Sequence, residues 1–238
     1  PQPTAGADGS IAVCENDTTA INLFSLITGE QPGGVWTQTS GTGGVFNAVA
    51  GTYTPAVGAT SSTFTYTLIG IAPCINDASL ATITINPVPT ATIAASSPSV
   101  CMNYPSPTVT FTGFSGTSPY TFTYTINAGI PNTTPQSSPT HVINVPTNVV
   151  GPFNYELVSV TDVNGCTQAI NQSVTVTVLT APIINNPIAY ELCDDDSNDG
   201  IACFDLTGVV APQVTTNPTL IVTFHETLTD SQTGAYPQ

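Results

Sequence analysis

The chain has 238 residues, 15 of them Asp or Glu and none Lys or Arg, for a formal net charge of −15 with only 6% of residues charged. An ordinary domain is about 25% charged with both signs present, so the missing cations exclude more than any motif does. They remove the phosphate contacts that dominate nucleic-acid affinity, the attraction to anionic lipid, and any lysine nucleophile, Schiff base or Lys–Asn isopeptide cross-link. No Lys/Arg salt bridge can form, which leaves metal ions as the obvious offset to the charge. A trypsin-like protease also has no site to cut; this suits exposure outside the cell, and compositional drift toward Thr, Asn and Ser would produce the same pattern. No apolar run approaches the roughly 18 residues of a membrane span. "PQPTAGADGS" lacks the basic start and apolar centre of a signal peptide, so the sequence reads as a soluble piece of a longer or processed protein.

From the N-terminus onward the predicted elements are nearly all strands. "INLFSLITGE" (21–30) allows one short helical turn. Period-two alternation of Thr or Ser with aromatic or β-branched residues then marks "STFTYTLIG" (62–70), "LATITIN" (80–86), "PTVTFTGF" (107–114), "PYTFTYTIN" (119–127), "NYELVSVTD" (154–162) and "SVTVTVL" (173–179), the signature of half-buried antiparallel strands. Outward-facing Thr keeps strand propensity high without adding charge. Turn signals such as "QPGG", "GTGG", "NAGIPN" and "DVNG" separate them. Regular short strands between such turns predict β-sandwiches. Proline-containing stretches at 86–91 and 179–187 divide the chain into two sandwiches, 1–87 and 88–180. The remainder, 181–238, is too short for a sandwich and is expected to be a partial β domain, with an acidic loop, a strand "LIVTFHE" (220–226) and a turn "DSQTG".

The six cysteines fall into orderly successive pairs, Cys14 with Cys74, Cys101 with Cys166, and Cys193 with Cys203. No CxxC occurs and the two His lie far apart, so oxidised pairs in an extracellular or periplasmic compartment are favoured over a zinc site. Each of the first two bridges would close a loop of about 60 residues and contribute about 4 kcal/mol in the chain-entropy model. Cys14, Trp36 and Cys74 follow the Cys–Trp–Cys order of immunoglobulin domains, with the Trp late and no counterpart in the second unit.

Signs of catalysis are few. His141 and His225 each sit in a strand-like run, and "GFSG" (113–116) is only a Gly-containing turn. Glu15, Glu30, Glu156 and Asp162 are scattered, so they read as solvated surface carboxylates rather than an acid–base pair. No enzyme is expected. Trp36, Tyr53, Tyr66, Tyr120, Tyr124 and Tyr155 could form a carbohydrate platform, although their place on alternating strands favours core packing. Glycosylation sequons occur at Asn16, Asn132 and Asn171.

The loop "ELCDDDSNDGIACFDL" (191–206) concentrates four aspartates and a glycine between two cysteines. Calcium takes six to eight oxygen ligands from flexible loops. Asp195 first, Ser197 third, Asp199 fifth and Gly200 sixth match the first half of a D-x-[DNS]-x-[DN]-G loop, with the Ile201 carbonyl seventh. The expected ligands are drawn from Asp194, Asp195, Asp196, Ser197, Asp199, Ile201 and Asp205. Leu206 stands where the twelfth-position Glu should be, and Asp205 or Glu191 would have to compensate. A solvated acidic turn is the alternative, but four crowded carboxylates have no basic partner in the chain, so Ca²⁺ is the expected cofactor.

The stretches "VCENDTTAINLFSLITGEQPGGVWTQTSGTGGVFNAVAGTYTPAVGATSSTFTYTLIG", "ELCDDDSNDGIACFDLT", "VTFHET" and "VTDVNGC" together resemble repeat modules of giant Bacteroidota cell-surface proteins, the gliding-motility adhesins and related surface filaments exported by type IX secretion. The resemblance covers essentially the whole chain. It implies an all-β fold of tandem immunoglobulin-like antiparallel β-sandwich domains, extracellular display at the cell surface, and an adhesive or spacer role. Implied partners are neighbouring domains of the same long chain, a homo-oligomer within a filament, and surface glycans or proteins, with no nucleic acid and no membrane insertion. A glycan-binding module of a secreted multidomain protein is the alternative.

Overall fold

Threonine alternating with aromatic residues becomes sheet here because each strand buries one face. The computed structural model describes residues 2–137, 139–191 and 204–234, and the chain divides into a unit over Pro1–Leu179 and another over Thr180–Gln238. The first unit is all-β and contains two immunoglobulin-like sandwiches in tandem.

The first sandwich comprises β1 (Gly9–Cys14), β2 (Ile21–Asn22), β3 (Val35–Ser40), β4 (Val45–Asn47), β5 (Thr52–Thr54), β6 (Ser62–Leu68) and β7 (Asp77–Asn86). One sheet runs β1-β7-β6-β3 and the other β2-β5-β4; all pairings are antiparallel except β1 with β7. Along β6 every second residue, Ser62, Phe64, Tyr66 and Leu68, is buried, as the alternation predicts. The core is rich in rings: Phe24 meets Trp36 edge-on at 5.4 Å, Trp36 lies 5.1 Å from Tyr66, and Tyr53 lies 4.9 Å from Phe64. Buried hydroxyls are satisfied. Tyr66 donates to the Gln31 carbonyl at 2.8 Å and accepts from the Gly34 N–H at 2.9 Å, and Tyr53 donates to the Gly43 carbonyl at 2.8 Å. Gly51, at φ 63°, faces this cluster; a Cβ there would lie 2.5 Å from the Phe24 ring and 2.8 Å from Trp36 Nε1, so no other residue fits. A single 3-10 turn, Leu23–Ser25, is capped by the Asn22 side chain.

The second sandwich comprises β8 (Pro89–Ala95), β9 (Ser99–Cys101), β10 (Thr108–Ser115), β11 (Thr121–Ile126), β12 (Asn132–Thr133), β13 (Thr140–Asn144), β14 (Gly151–Thr161) and β15 (Thr167–Leu179). Its sheets are β13-β10-β8 and β12-β11-β14-β15-β9, antiparallel except for β9 with β15. Val109, Phe111, Phe122, Tyr155, Leu157, Val160 and Val176 belong to its core. A register shift between Leu157 and Ser159 inserts a bulge into β14, moving the inward position to Val160 and breaking strict alternation.

Within Thr180–Gln238 the described residues contain no strand, which corrects the strand expected at 220–226. They form helical turns at Leu206–Val210 and Ala211–Val214 and a short helix, Leu228–Thr233, closed by Gly234 at φ 68°. The turn predicted at "DSQTG" is the C-terminal half of that helix and its cap. Residues 220–226 keep alternating exposure, with Leu220, Val222 and Phe224 half-buried and Ile221 90% exposed. Alternation becomes a strand only when a neighbour supplies the other half of the hydrogen-bond ladder, and no described residue does so.

Candidate functional site: the joint between the two sandwiches

The passage from one sandwich to the next is short and stiff. β7 ends at Asn86 and β8 begins at Pro89, so the linker is Pro87 and Val88. Proline fixes its own φ and drives the residue before it into extended conformations; in Asn-Pro-Val-Pro this restricts four consecutive residues. Pro89 is itself buried and pairs in register with Ser115 of β10.

A second covalent connection lies beside the first. Cys14, the last residue of β1, pairs in register with Asn86, the last residue of β7. Its sulfur is bonded to Cys166 of the second sandwich, with a Cα–Cα distance of 5.5 Å and a sequence separation of 152. Cys166 is fully buried and stands directly before β15, at the end of the turn that follows β14. Asn16, two residues after Cys14, donates from Nδ2 to the Thr167 carbonyl at 3.0 Å. One tether would leave the sandwiches free to rotate; linker, disulfide and hydrogen bond together fix the joint.

The turn carrying Cys166 is organised by one carboxylate. Asp162 is 4% exposed. Its Oδ1 accepts from the N–H groups of Asn164 at 3.0 Å and Cys166 at 2.9 Å, and its Oδ2 accepts from the Thr117 N–H at 2.8 Å. Gly165, at φ 82°, donates to the Asp162 carbonyl at 3.1 Å and closes the turn. A negative charge held by three N–H donors is well compensated even when buried, and the arrangement aims Cys166 at Cys14. Sequence reading missed this role, expecting Asp162 to be a solvated carboxylate. The available signal was its place two residues before Asn164-Gly165, where an Asx side chain collects turn amides. On the other side, Asp17 accepts from the Thr19 N–H at 2.9 Å; hydrogen bonds from the Thr19 side chain and backbone hold its carboxyl below the ordinary range.

This pairing corrects the expectation of Cys14–Cys74 and Cys101–Cys166 bridges. Cys14 lies at the end of β7 and Cys74 in the turn that precedes it. The 10 residues of β7, at about 3.3 Å each, separate them by roughly 30 Å, against the roughly 7 Å a disulfide spans between Cα atoms. Cys101 is likewise paired with Leu179 at the end of β15, the far end from Cys166. Similar spacing in the two units reflects a shared plan rather than a bond within each. Cys101 is an exposed thiol and Cys74 is half-buried. Cys193 and Cys203 lie outside the described residues.

The other sequence candidates are not brought together. Trp36, Tyr53, Tyr66, Tyr120 and Tyr155 are at most 5% exposed, and Tyr124 packs 5.0 Å from Phe111; these rings are core, not a carbohydrate platform. His141 sits on β13 opposite Phe111, and His225 Nε2 lies 3.0 Å from Thr223 Oγ1. Of the calcium candidates, Asp194, Asp195, Asp196, Ser197, Asp199 and Ile201 lie outside the described residues. Asp205 caps the turn Leu206–Val210, its Oδ1 accepting from the Gly208 N–H at 2.7 Å. Among the described residues no three His, Cys, Asp or Glu side chains are grouped to hold a metal ion, and no helix is long and apolar enough to cross a membrane.

Residues 189–238 match the Flavobacterium inter-domain disulphide bond domain family. No curated protein matches the chain. Among solved structures it is similar to the N-terminal eight Ig domains of Down Syndrome Cell Adhesion Molecule, at 11% identity over 76% of this chain and 24% of that one, with a TM-score of 0.45. It is also similar to the fibronectin(III)-like modules of Clostridium thermocellum CbhA, at 10% identity over 78% and 96% of the two chains and a TM-score of 0.34. A Ca²⁺-stabilized adhesin with which an Antarctic bacterium binds ice is 19% identical over 71% and 46%, with a TM-score of 0.34. The chain thus spans about a quarter of the length of the first of these structures.

Proposed function

We propose that this chain is a non-enzymatic, structural and adhesive segment of a long extracellular protein, in which successive sandwiches are locked into a stiff series. The observation that carries the reading is the disulfide between sandwiches, Cys14–Cys166, set beside a two-residue linker and braced by Asp162. Such a joint transmits force and orientation rather than chemistry. Two further features support it: a charge of −15 with no cation, which suits a solvated surface, and disulfide use, which suits an oxidising exterior. The family match at residues 189–238 supports a Bacteroidota source. Surface filaments or gliding adhesins exported by type IX secretion are the finer reading, resting on the motif resemblance.

Calcium at the acidic loop 191–206 belongs to the same proposal, as the cation that offsets four aspartates in a chain with none of its own. Thermal unfolding with calcium and with chelator, under non-reducing conditions, tests that part; an unmoved midpoint removes it. The glycan-binding alternative loses its support, because the rings it requires are buried.

The joint itself is tested by small-angle scattering of the oxidised chain against the Cys14→Ser/Cys166→Ser variant. The proposal expects one narrow distribution of dimensions when oxidised and a broader one in the variant. Indistinguishable curves would mean that the disulfide does not set the joint.

A further inference from the structure

A pull applied to the ends of Pro1–Leu179 does not follow the backbone past Cys14. The bond to Cys166 is the shorter covalent path, 5.5 Å between Cα atoms against a sequence separation of 152. The load therefore runs along β1 (Gly9–Cys14), across the two sulfurs, and along β15 (Thr167–Leu179). Residues 15–165 lie in a closed loop off that path. They supply every strand from β2 to β14 and most of both cores.

Both strands on the path are already extended. A strand rises about 3.3 Å per residue and a fully drawn chain reaches only about 3.6 Å, so freeing β1 or β15 from its neighbours adds little length. Tension favours an opened state only through the length gained, and here it has little to act on. Both strands are also anchored. β1 pairs with β7 through all six of its residues, and β15 pairs with β14 and β9. Ahead of β1, Ala5 N–H donates to Asp77 Oδ2 at 2.7 Å, Ser79 Oγ to the Gly6 carbonyl at 2.6 Å, and Leu80 N–H to Asp8 Oδ1 at 2.9 Å. At the exit, Met102 N–H donates to the Leu179 carbonyl at 2.8 Å.

We propose that Cys14–Cys166 is a load bypass: tension crosses the disulfide between two extended strands, and the enclosed parts of both sandwiches keep their fold without bearing it. The inference rests on the reading of the chain as a stiff structural segment and goes beyond it, since a joint can be stiff and still route tension through the folds on either side. Without the bond the load follows the whole backbone, and residues 15–165 can be drawn out by about 500 Å.

Single-molecule stretching of the whole chain, held at its two ends, tests this on the oxidised parent and on Cys14→Ser/Cys166→Ser. The cysteine variant is expected to lengthen by about 500 Å more than the parent. A core change off the path separates the load route from the bond itself: Leu157→Ala on β14, where the side chain is fully buried, with Phe111→Leu on β10 as a milder second. In the oxidised parent each is expected to lower the thermal midpoint and leave the force–extension curve where it was. In the cysteine variant each is expected to lower the unfolding force. A curve that shifts with either core change, while mass spectrometry finds Cys14–Cys166 intact, overturns the inference and leaves the joint standing. A parent that lengthens as far as the cysteine variant has no bond between Cys14 and Cys166, and the proposed function then falls with the inference.

Discussion

The turn between β6 and β7 and the turn between β14 and β15 occupy the same station in the two sandwiches, and each carries a cysteine. They are built differently. The second is short, its amides gathered by the buried Asp162 carboxylate and its Cys166 sealed inside the joint. The first is longer and turns its apolar side chains outward, with Ile69, Ile71 and Ile75 at 74%, 87% and 70% exposure. The docked turn is thus braced by a carboxylate of its own sandwich and bonded to the neighbour through Cys166, whereas the other leaves three isoleucines exposed.

The largest effect should come from breaking the docked turn's covalent bond. Cys14→Ser/Cys166→Ser removes a cross-link closing a separation of 152 residues, which in the chain-entropy model contributes about 5 kcal/mol. Guanidinium unfolding is expected to resolve into separate transitions for the two sandwiches; a single unshifted transition would show that packing alone couples them.

Next comes the brace. Asp162→Ala leaves three N–H groups without their acceptor and is expected to cost about 3 kcal/mol, with Asp162→Asn costing less because an amide oxygen still accepts. Urea titrations of the three chains decide this. An Asp162→Ala chain as stable as its parent would mean that the turn needs no brace.

Smaller again is Asn16→Ala, which removes one exposed hydrogen bond across the joint and is expected to cost about 1 kcal/mol or less. At the solvent-facing turn, Ile71→Ser should stay within about 0.5 kcal/mol. Equal losses at the two turns would erase the contrast between them. Alkaline pH offers a last, small effect. Burial, with a lesser contribution from Tyr124, raises the Tyr155 phenol above its ordinary value. The folded state therefore keeps a proton that the unfolded chain gives up. The stability this supplies is complete below pH about 10 and is lost as pH rises through the folded value. Tyr155→Phe should flatten that limb of a stability–pH profile.

Much of this architecture is legible in the sequence, because period-two burial of Phe64, Tyr66, Phe111 and Val176 is written directly in the alternation with Thr. The bulge in β14 is not, since it depends on the register of the facing strand. The strand expected at 220–226 fails for a related reason, as pattern specifies a face but not a partner. The candidate site was the least legible part. Regular cysteine spacing suggested a bond within each sandwich, yet the same spacing arises when each module keeps one cysteine at either end and bonds its neighbour. Only the length of β7, which holds Cys14 and Cys74 apart, distinguishes the two. Asp162 reads as one carboxylate among many until the turn around it folds.

The pairing of Cys14 tests the central claim most directly. Non-reducing pepsin peptides of the oxidised chain, sequenced by mass spectrometry, are predicted to contain the segment around Cys14 joined to the segment around Cys166. Recovery of Cys14 joined to Cys74, with Cys101 joined to Cys166, would contradict it.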